Sequence, residues 1–250
     1  VVKKRLDKIL QARYPSVSRS KMQELIAHGA VTVDGQVITQ ASLLIPEDSA
    51  IQVDFSALKY VSRAGFKLEH ALQAFNVSVK DLVCLDAGLS TGGFTDCLLQ
   101  HGARKVYGID VGTAQIHPKI ACDPRVIVME NTDIRAVPVL ADIIDCMTLD
   151  LSFISLTKII TEAAHLLKPG GTLITLIKPQ FEVGLQIAQR YQGVIKDADI
   201  QQEAVATVTK AIKNAGFELI SVTESPILGG SGNKEFLAYF IKKNLADVCS

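Results

Sequence analysis

The ten residues Asp86-Ala-Gly-Leu-Ser-Thr-Gly-Gly-Phe-Thr95 put a carboxylate at the end of an apolar run and a glycine-rich turn directly ahead of a helix. Few folds accommodate that order. Leu82-Val83-Cys84-Leu85 reads as a short buried strand, and the residues from Thr95 to Leu99 begin an amphipathic helix. Gly88, Gly92 and Gly93 are expected to let the backbone approach a ligand, since no Cβ stands in the way. Further apolar runs at 105–110, 126–129, 143–150 and 172–177 alternate with helical patterns. This predicts an α/β, Rossmann-like fold with a doubly wound, mainly parallel sheet. Two more strands, 217–223 and 236–241, follow a helix at 201–214 and bring the expected sheet to seven. Their short Gly- and Ser-rich connection suits an antiparallel pair.

Ahead of this block stands a smaller one. Leu6, Ile9 and Leu10 recur at helical spacing from Lys4 onward, and Ser18 supplies an N-cap for a second short helix carrying Met22, Leu25 and Ile26. Gly29 stands where that helix should stop. The alternating run Val31 to Val37 has Asp34-Gly35 at its centre, a strong signal for a tight hairpin. The expected division is a small α+β domain with its linker at 1–58 and the larger domain at 59–245.

The chain has 26 basic and 26 acidic residues among 250, so a uniformly basic coat is excluded. The charge is nevertheless uneven: residues 1–30 hold seven bases against two acids. Five cysteines without a C-x-x-C pair suggest neither a disulfide framework nor a zinc site, and no metal is expected. A reducing cytoplasm fits that usage. No signal peptide is read at the start, and the most apolar stretch, 137–156, is broken by Asp142, Asp145 and Asp150. Stable insertion in a membrane is therefore not expected.

In a doubly wound sheet the ligand lies at the carboxyl ends of the strands, where Asp86, Asp110 and Asp150 fall. Asp110 follows the turn by about twenty residues, the position at which an acid accepts from both ribose hydroxyls. A dinucleotide would need G-x-G-x-x-G, so that pyrophosphate meets the helix N-terminus. This chain instead reads D-x-G-x-S-x-G-G, with Ser90 in place of the second glycine. A carboxylate there, or a water it holds, suits the cationic amino and sulfonium groups of S-adenosylmethionine. The cofactor-binding candidates are Asp86, Gly88, Ser90, Gly92, Gly93, Asp110, Val111, Asn131 and Asp133. Farther on, Lys178 closes an apolar strand and should be desolvated near Asp150 on the adjacent strand. Two readings stand: a structural ion pair, or a lysine serving as general base.

Two resemblances sharpen these expectations. R-L-D-K-I-L, S-R-S-K-M-Q-E-L-I, G-A-V-T-V-D-G and I-Q-V-D resemble the S4 RNA-binding domain, which implies that Arg5, Arg19 and Lys21 face RNA. The alternative is a solvated helix face. S-R-A-G-F-K-L, L-D-A-G-L-S-T-G-G-F-T-D, Y-G-I-D-V-G, E-N-T-D-I-R, T-L-D-L-S-F-I-S-L, L-I-K-P-Q-F-E and G-N-K-E-F-L resemble the hemolysin A, or TlyA, family. That family is similar to FtsJ-type RNA 2′-O-methyltransferases. The resemblance implies methylation of ribosomal RNA cytidines, on ribosomal RNA or ribosomal subunits as partners, and a catalytic tetrad of Lys67, Asp150, Lys178 and Glu235. In that scheme Lys178 takes the 2′-OH proton while the other three set its charge and orient the hydroxyl. The segment 180–197, with Arg190, Tyr191 and Lys196, is expected on the substrate side, against the alternative of an ordinary surface connection.

The rival enzyme class, an NAD-dependent oxidoreductase, is disfavoured by Asp86 and Ser90. Base methylation is disfavoured by D-L-S-F at the fourth strand, where amino-methylating enzymes carry two prolines and an aromatic. An RNA-binding assembly factor without turnover is a further reading, as is the membrane lysis that the family's older name suggests. Lysis would need a spanning segment or a strongly amphipathic exposed helix, and the sequence offers neither.

Overall fold

A computed structural model describes residues 2–27, 29–55, 59–229 and 231–244. The chain divides into two compact units after Arg63, a few residues beyond the expected boundary at 58. Residues 56–58 of the connector and residue 245, where the larger domain was expected to end, lie outside the described residues.

The first unit contains β1 (Lys3–Arg5), α1 (Leu6–Arg13), α2 (Arg19–Ala27), β2 (Val31–Val33), β3 (Gln36–Val37), β4 (Leu44–Pro46) and β5 (Ile51–Val53). The helix expected from Lys4 begins two residues later in the structure. Lys4 and Arg5 instead pair antiparallel with Ile45 and Leu44, an interaction that local periodicity cannot report. The Ser18 hydroxyl accepts from the Lys21 amide at 3.3 Å, as the cap signal requires. At the other end of α2 the Gly29 amide bonds to Ile26 O and the Ala30 amide to Leu25 O, with Gly29 at φ +71°. That pair of bonds closes the helix through a left-handed residue. Asp34 and Gly35 both take positive φ and join β2 to β3 as the hairpin signal predicts. Leu6, Ile9, Leu10, Met22, Leu25 and Ile26 form the core with Val31, Val33 and Ile45. Each such aliphatic side chain, once buried, contributes about 1.5–3 kcal/mol.

The second unit runs α3 (Ala64–Ala74), β6 (Val83–Ala87), α4 (Gly93–Gln100), β7 (Lys105–Ile109), α5 (Pro118–Ala121), β8 (Val126–Met129), β9 (Ile144–Leu149), α6 (Ile160–Ala164), β10 (Leu167–Ile177), α7 (Pro179–Glu182), α8 (Leu185–Arg190), α9 (Ala198–Asn214), β11 (Phe217–Glu224) and β12 (Phe236–Lys242). These seven strands make one sheet in the order β11-β12-β10-β9-β6-β7-β8. The pairs from β8 through β10 are parallel, and β12 is antiparallel to both β10 and β11. β10 starts five residues ahead of the expected Thr172, with a register irregularity between Leu167 and Thr172. Ala204, Val205, Val208 and Ile212 bury one face of α9. Val205, Val208 and Ile212 join Leu85, Met147, Leu149, Leu173, Phe217 and Phe240 in the core, together with Val83 and Ile177.

The chain leaves β6 toward β7 and β8 on one side and returns as β9 on the other, so the strand order reverses between β6 and β9. In open α/β sheets a ligand crevice forms at such a point, beyond the carboxyl ends of the strands.

Candidate active site

A cavity of about 520 Å3 opens at that switch point. Gly88, Ser90, Asp110, Val111, Asp133 and Ile134 line one part of it, and Asp150, Leu151, Ser152 and Phe153 another. Of the cofactor-binding candidates, Gly88, Ser90, Asp110, Val111 and Asp133 thus share one wall. Asp86, Gly92, Gly93 and Asn131 lie outside it.

The turn after β6 is held by the carboxylate at the end of β7. Asp110 Oδ2 accepts from the Ser90 amide and Oδ1 from the Gly112 amide, both at 2.7 Å. The first of those bonds holds Ser90 at φ +45°, a left-handed backbone that serine rarely adopts. Gly88 has φ +89°, and a Cβ on it would come within 2.4 Å of the Asp150 carbonyl oxygen. A Cβ on Gly92, at φ +93°, would meet the Ile120 side chain at 2.9 Å. These two glycines are therefore demanded by the protein's own packing, where the sequence suggested room for a ligand.

Asp86 likewise departs from the simple expectation. It is fully buried, and its carboxylate accepts from Thr95 Oγ1 at 2.7 Å and from Thr148 Oγ1 at 2.8 Å. Burial pushes its pKa up to about 6 against the pull of those two hydroxyls. Its carboxylate is engaged by Thr95 and Thr148 and does not line the cavity. Because the folded pKa lies above the usual carboxylate value, the native state binds the extra proton between about pH 4 and 6. Asp86 therefore lowers stability as pH rises through that window. We expect Asp86→Asn to gain about 2–3 kcal/mol relative to the parent between pH 4 and pH 7. Urea unfolding at both pH values checks this, and a pH-independent difference would contradict it.

Asp133 Oδ1 and Oδ2 accept from Arg135 at 2.9 and 2.6 Å, which draws the Asp133 pKa down to about 2. Asn131 turns at φ +51° and is exposed. The neighbouring Thr132 lines the cavity in its place.

The four catalytic candidates form two ion pairs. Lys178 Nζ lies 2.7 Å from Asp150 Oδ1, with angles outside those of a hydrogen bond, and donates to Ser152 Oγ at 2.9 Å. Lys67, buried on α3, pairs with buried Glu235. The sheet register explains the grouping. Asp150 follows the last residue of β9, Lys178 the last of β10, and Glu235 precedes the first of β12. Ile177 and Phe236 are direct partners, so Lys178 and Glu235 stand at the same edge of neighbouring strands.

Three contributors carry no signal in the sequence that marks their part. Ser152 looks like an ordinary loop serine, yet it holds Lys178. Glu182, at the end of the short helix that follows Lys178, accepts from Ser155 Oγ at 2.5 Å and from the Leu156 amide at 3.0 Å, and burial raises its pKa. It anchors the loop carrying Phe153, which sits at φ +66°, is 91 % exposed and lies 5.2 Å from the Phe181 ring. A bulky residue at positive φ is strained, by about 1–3 kcal/mol, and such strain gathers at ligand clamps. In the first unit, Asp7 is fully buried and accepts from Arg5, Arg19 and Gln23, each at 3.0 Å. Arg5 and Arg19 are thereby brought to one carboxylate with their guanidinium groups partly exposed, while Lys21 is exposed apart from them. The bonds from Arg5 hold the Asp7 pKa well below the usual carboxylate range.

No helix among the described residues is long and apolar enough to cross a membrane, and no cluster of metal-ligating side chains occurs among them.

Comparison with known proteins agrees with this geometry. The FtsJ-like methyltransferase family matches residues 60–242, and the S4 domain matches residues 4–51. The hemolysin A of Brachyspira hyodysenteriae is 41 % identical over 240 residues, covering 95 % of this chain and 99 % of that protein. The 16S/23S rRNA (cytidine-2′-O)-methyltransferase TlyA of Mycobacterium tuberculosis is 36 % identical over 239 residues, covering 94 % and 88 %. A putative hemolysin from Streptococcus thermophilus superposes with a TM-score of 0.76 at 36 % identity, over 97 % of this chain and 89 % of that one. With an S4 domain, a methyltransferase sheet and relatives matched along nearly their whole length, the chain belongs to the hemolysin A/TlyA family of FtsJ-like, S-adenosylmethionine-dependent methyltransferases.

Proposed function

We propose that this protein transfers a methyl group from S-adenosylmethionine to a cytidine ribose 2′-OH of ribosomal RNA. The observation that carries the reading is the row of Asp150, Lys178, Glu235 and Lys67 beside a cavity at the switch point of the sheet. The relatives named as rRNA (cytidine-2′-O)-methyltransferases support the acceptor class.

The cavity fits the donor. Its volume of about 520 Å3 is within the 300–1,000 Å3 common for cofactor sites. Apolar Val111 and Ile134 would hold the donor's base and the Asp110 carboxylate its ribose hydroxyls, with buried Asp86 behind the turn. S-adenosylmethionine supplies an electrophilic methyl on a sulfonium that leaves as a neutral thioether.

The chain's own residues then have three tasks. Lys178 Nζ, having first released its own extra proton to solvent, receives the proton of the acceptor hydroxyl, with Asp150 and Ser152 fixing that nitrogen. The Lys67–Glu235 pair orients the hydroxyl at the start of β12. Phe153, exposed and braced by Phe181, offers a face on which the acceptor base can stack, and base stacking on aromatics contributes about 1–3 kcal/mol. Holding donor and acceptor in line supplies most of the remaining acceleration. In the first unit, Arg5, Arg19 and Lys21 meet the RNA backbone, Asp7 fixing the two arginines. The cytoplasm, where ribosomes are made, is the compartment this function requires.

Labelled S-adenosylmethionine incubated with separated small and large ribosomal subunits from an unmodified strain tests the reading. Label in the RNA of at least one subunit is expected. Measurable cofactor binding with no label in either would contradict the proposal and favour an RNA-binding protein without turnover.

A further inference from the structure

The segment after α8 is pinned to the turn that precedes Glu235. Asn233, buried to 1 % exposure, donates through Nδ2 to Gly193 O and accepts through Oδ1 from the Ile195 amide, both at 2.8 Å. Gln201, from α9, donates to Ile195 O at 2.6 Å. Gln192 and Gly193 both take positive φ, and the Gly193 amide closes back on Ala188 O at 2.8 Å, so the turn has one tightly specified shape. It forms one wall of an open cleft lined by Tyr191, Gln192, Val194 and Lys196, with Ser231 and Gly232 opposite. Arg190 stands over the Tyr191 ring at 5.9 Å. Neither Arg190 nor Lys196 has a carboxylate partner among the described residues.

We propose that this cleft is a second RNA subsite, taking the sugar-phosphate backbone next to the acceptor nucleotide, and that Asn233 is the positioning residue that sets its distance from Glu235. The proposal rests on the reading of the protein as an RNA methyltransferase. Lys196, the cation that lines the cleft, suits a phosphate oxygen, and Tyr191, whose hydroxyl donates to Asp197 at 3.4 Å, suits a ribose or base. Asn233 and Glu235 are two residues apart at one strand end. A turn fastened to Asn233 therefore keeps a fixed distance from the catalytic row, so an RNA strand seated in the cleft arrives in register with it.

The test is the salt dependence of binding to deproteinised ribosomal RNA, measured for the full chain and its variants. Removing one phosphate-neutralising cation lowers the slope of log affinity against log salt by about 0.7–0.9. Lys196→Ala is expected to lower it by about that amount. Asn233→Ala removes no charge, yet it should lower the slope as much, because it releases the turn that carries Lys196. The double variant should fall no further than Asn233→Ala, the non-additivity expected of coupled residues. Affinity for S-adenosylmethionine should stay at the parent value throughout. An unchanged slope in a folded Asn233→Ala protein would overturn the positioning role, and an unchanged slope in Lys196→Ala would overturn the subsite. Should Asn233→Ala fail to fold, Gln201→Ala, which removes the uncharged bond from α9 to Ile195 O in the same turn, takes its place. Methyl transfer by the parent protein is read separately, so failure of the catalytic proposal is distinguishable from failure of this one.

Discussion

Lys178→Ala is expected to reduce methyl transfer by about 10²- to 10⁴-fold, the usual contribution of a positioned general base, while leaving affinity for S-adenosylmethionine largely intact. Lys178 does not line the cavity; Asp150 and Ser152, which hold it, do. The loss should therefore appear in turnover and not in cofactor binding. Removing the lysine also strands the Asp150 carboxylate, and breaking a buried pair costs about 3–5 kcal/mol, so a folding defect could imitate a catalytic one. Lys178→Arg separates the two. It keeps a cation beside Asp150 and cannot act as a base at neutral pH. The expected result is a folded, cofactor-binding, inactive protein by calorimetry and single-turnover assay. Near-parental turnover in Lys178→Arg would show that the site needs a positive charge there and no proton acceptor.

Gly88→Ala should be the most damaging single-methyl change in the second unit. The new Cβ would lie 2.4 Å from the Asp150 carbonyl oxygen and 2.8 Å from its carbon, both backbone atoms that cannot swing aside. A left-handed φ adds about 1–3 kcal/mol of strain, and overpacking adds about 1–3 kcal/mol more. A combined loss on the order of 3 kcal/mol corresponds to a fall in Tm of roughly 6–12 °C for a domain of this size. Cofactor affinity should fall as well, because the displaced segment carries Asp150 to Phe153 along the cavity wall. Gly216→Ala is the control, since Gly216 has φ +93°, close to that of Gly88, and a Cβ there would meet nothing within 4 Å. It should show the strain alone. Equal Tm shifts for the two variants would contradict the packing account.

The parallel sheet was legible because its strands are short apolar runs ended by charged residues, as at Asp86, Asp110 and Asp150. Burial and sequence periodicity express the same physical demand there. The hairpin at Asp34-Gly35 and the closure of α2 at Gly29 were legible for a related reason: only a few residues tolerate positive φ. What resisted reading is what depends on distant partners. Lys3 to Arg5 form a strand because β4 lies alongside, against the helical spacing that begins beside them. α9 begins at Ala198 and not at 201 because Asp197 accepts from the Asp199 and Ile200 amides, a cap hidden among several acids.

The candidate site divides along the same line. Lys178 and Asp150 could be paired from adjacent strand ends, and the structure sets them 2.7 Å apart. Lys67 and Glu235 are 168 residues apart, and only resemblance to a family joined them in advance. Asp7 is one acid among many bases in the sequence, yet in the fold it gathers Arg5 and Arg19. Glu182 lies inside the L-I-K-P-Q-F-E motif with nothing local to reveal its part, because its partners Ser155 and Leu156 belong to another loop.

The two ion pairs assign the methyl group to a ribose oxygen and not to a base. Alkaline hydrolysis of labelled ribosomal RNA distinguishes the two, since hydrolysis needs a free 2′-OH next to the cleaved phosphate. Label recovered in an alkali-resistant dinucleotide beginning with cytidine is the result predicted by the Asp150–Lys178 and Lys67–Glu235 pairs. Label released in ordinary mononucleotides would place the methyl on a base and contradict the assignment of Lys178 as the acceptor of a ribose proton.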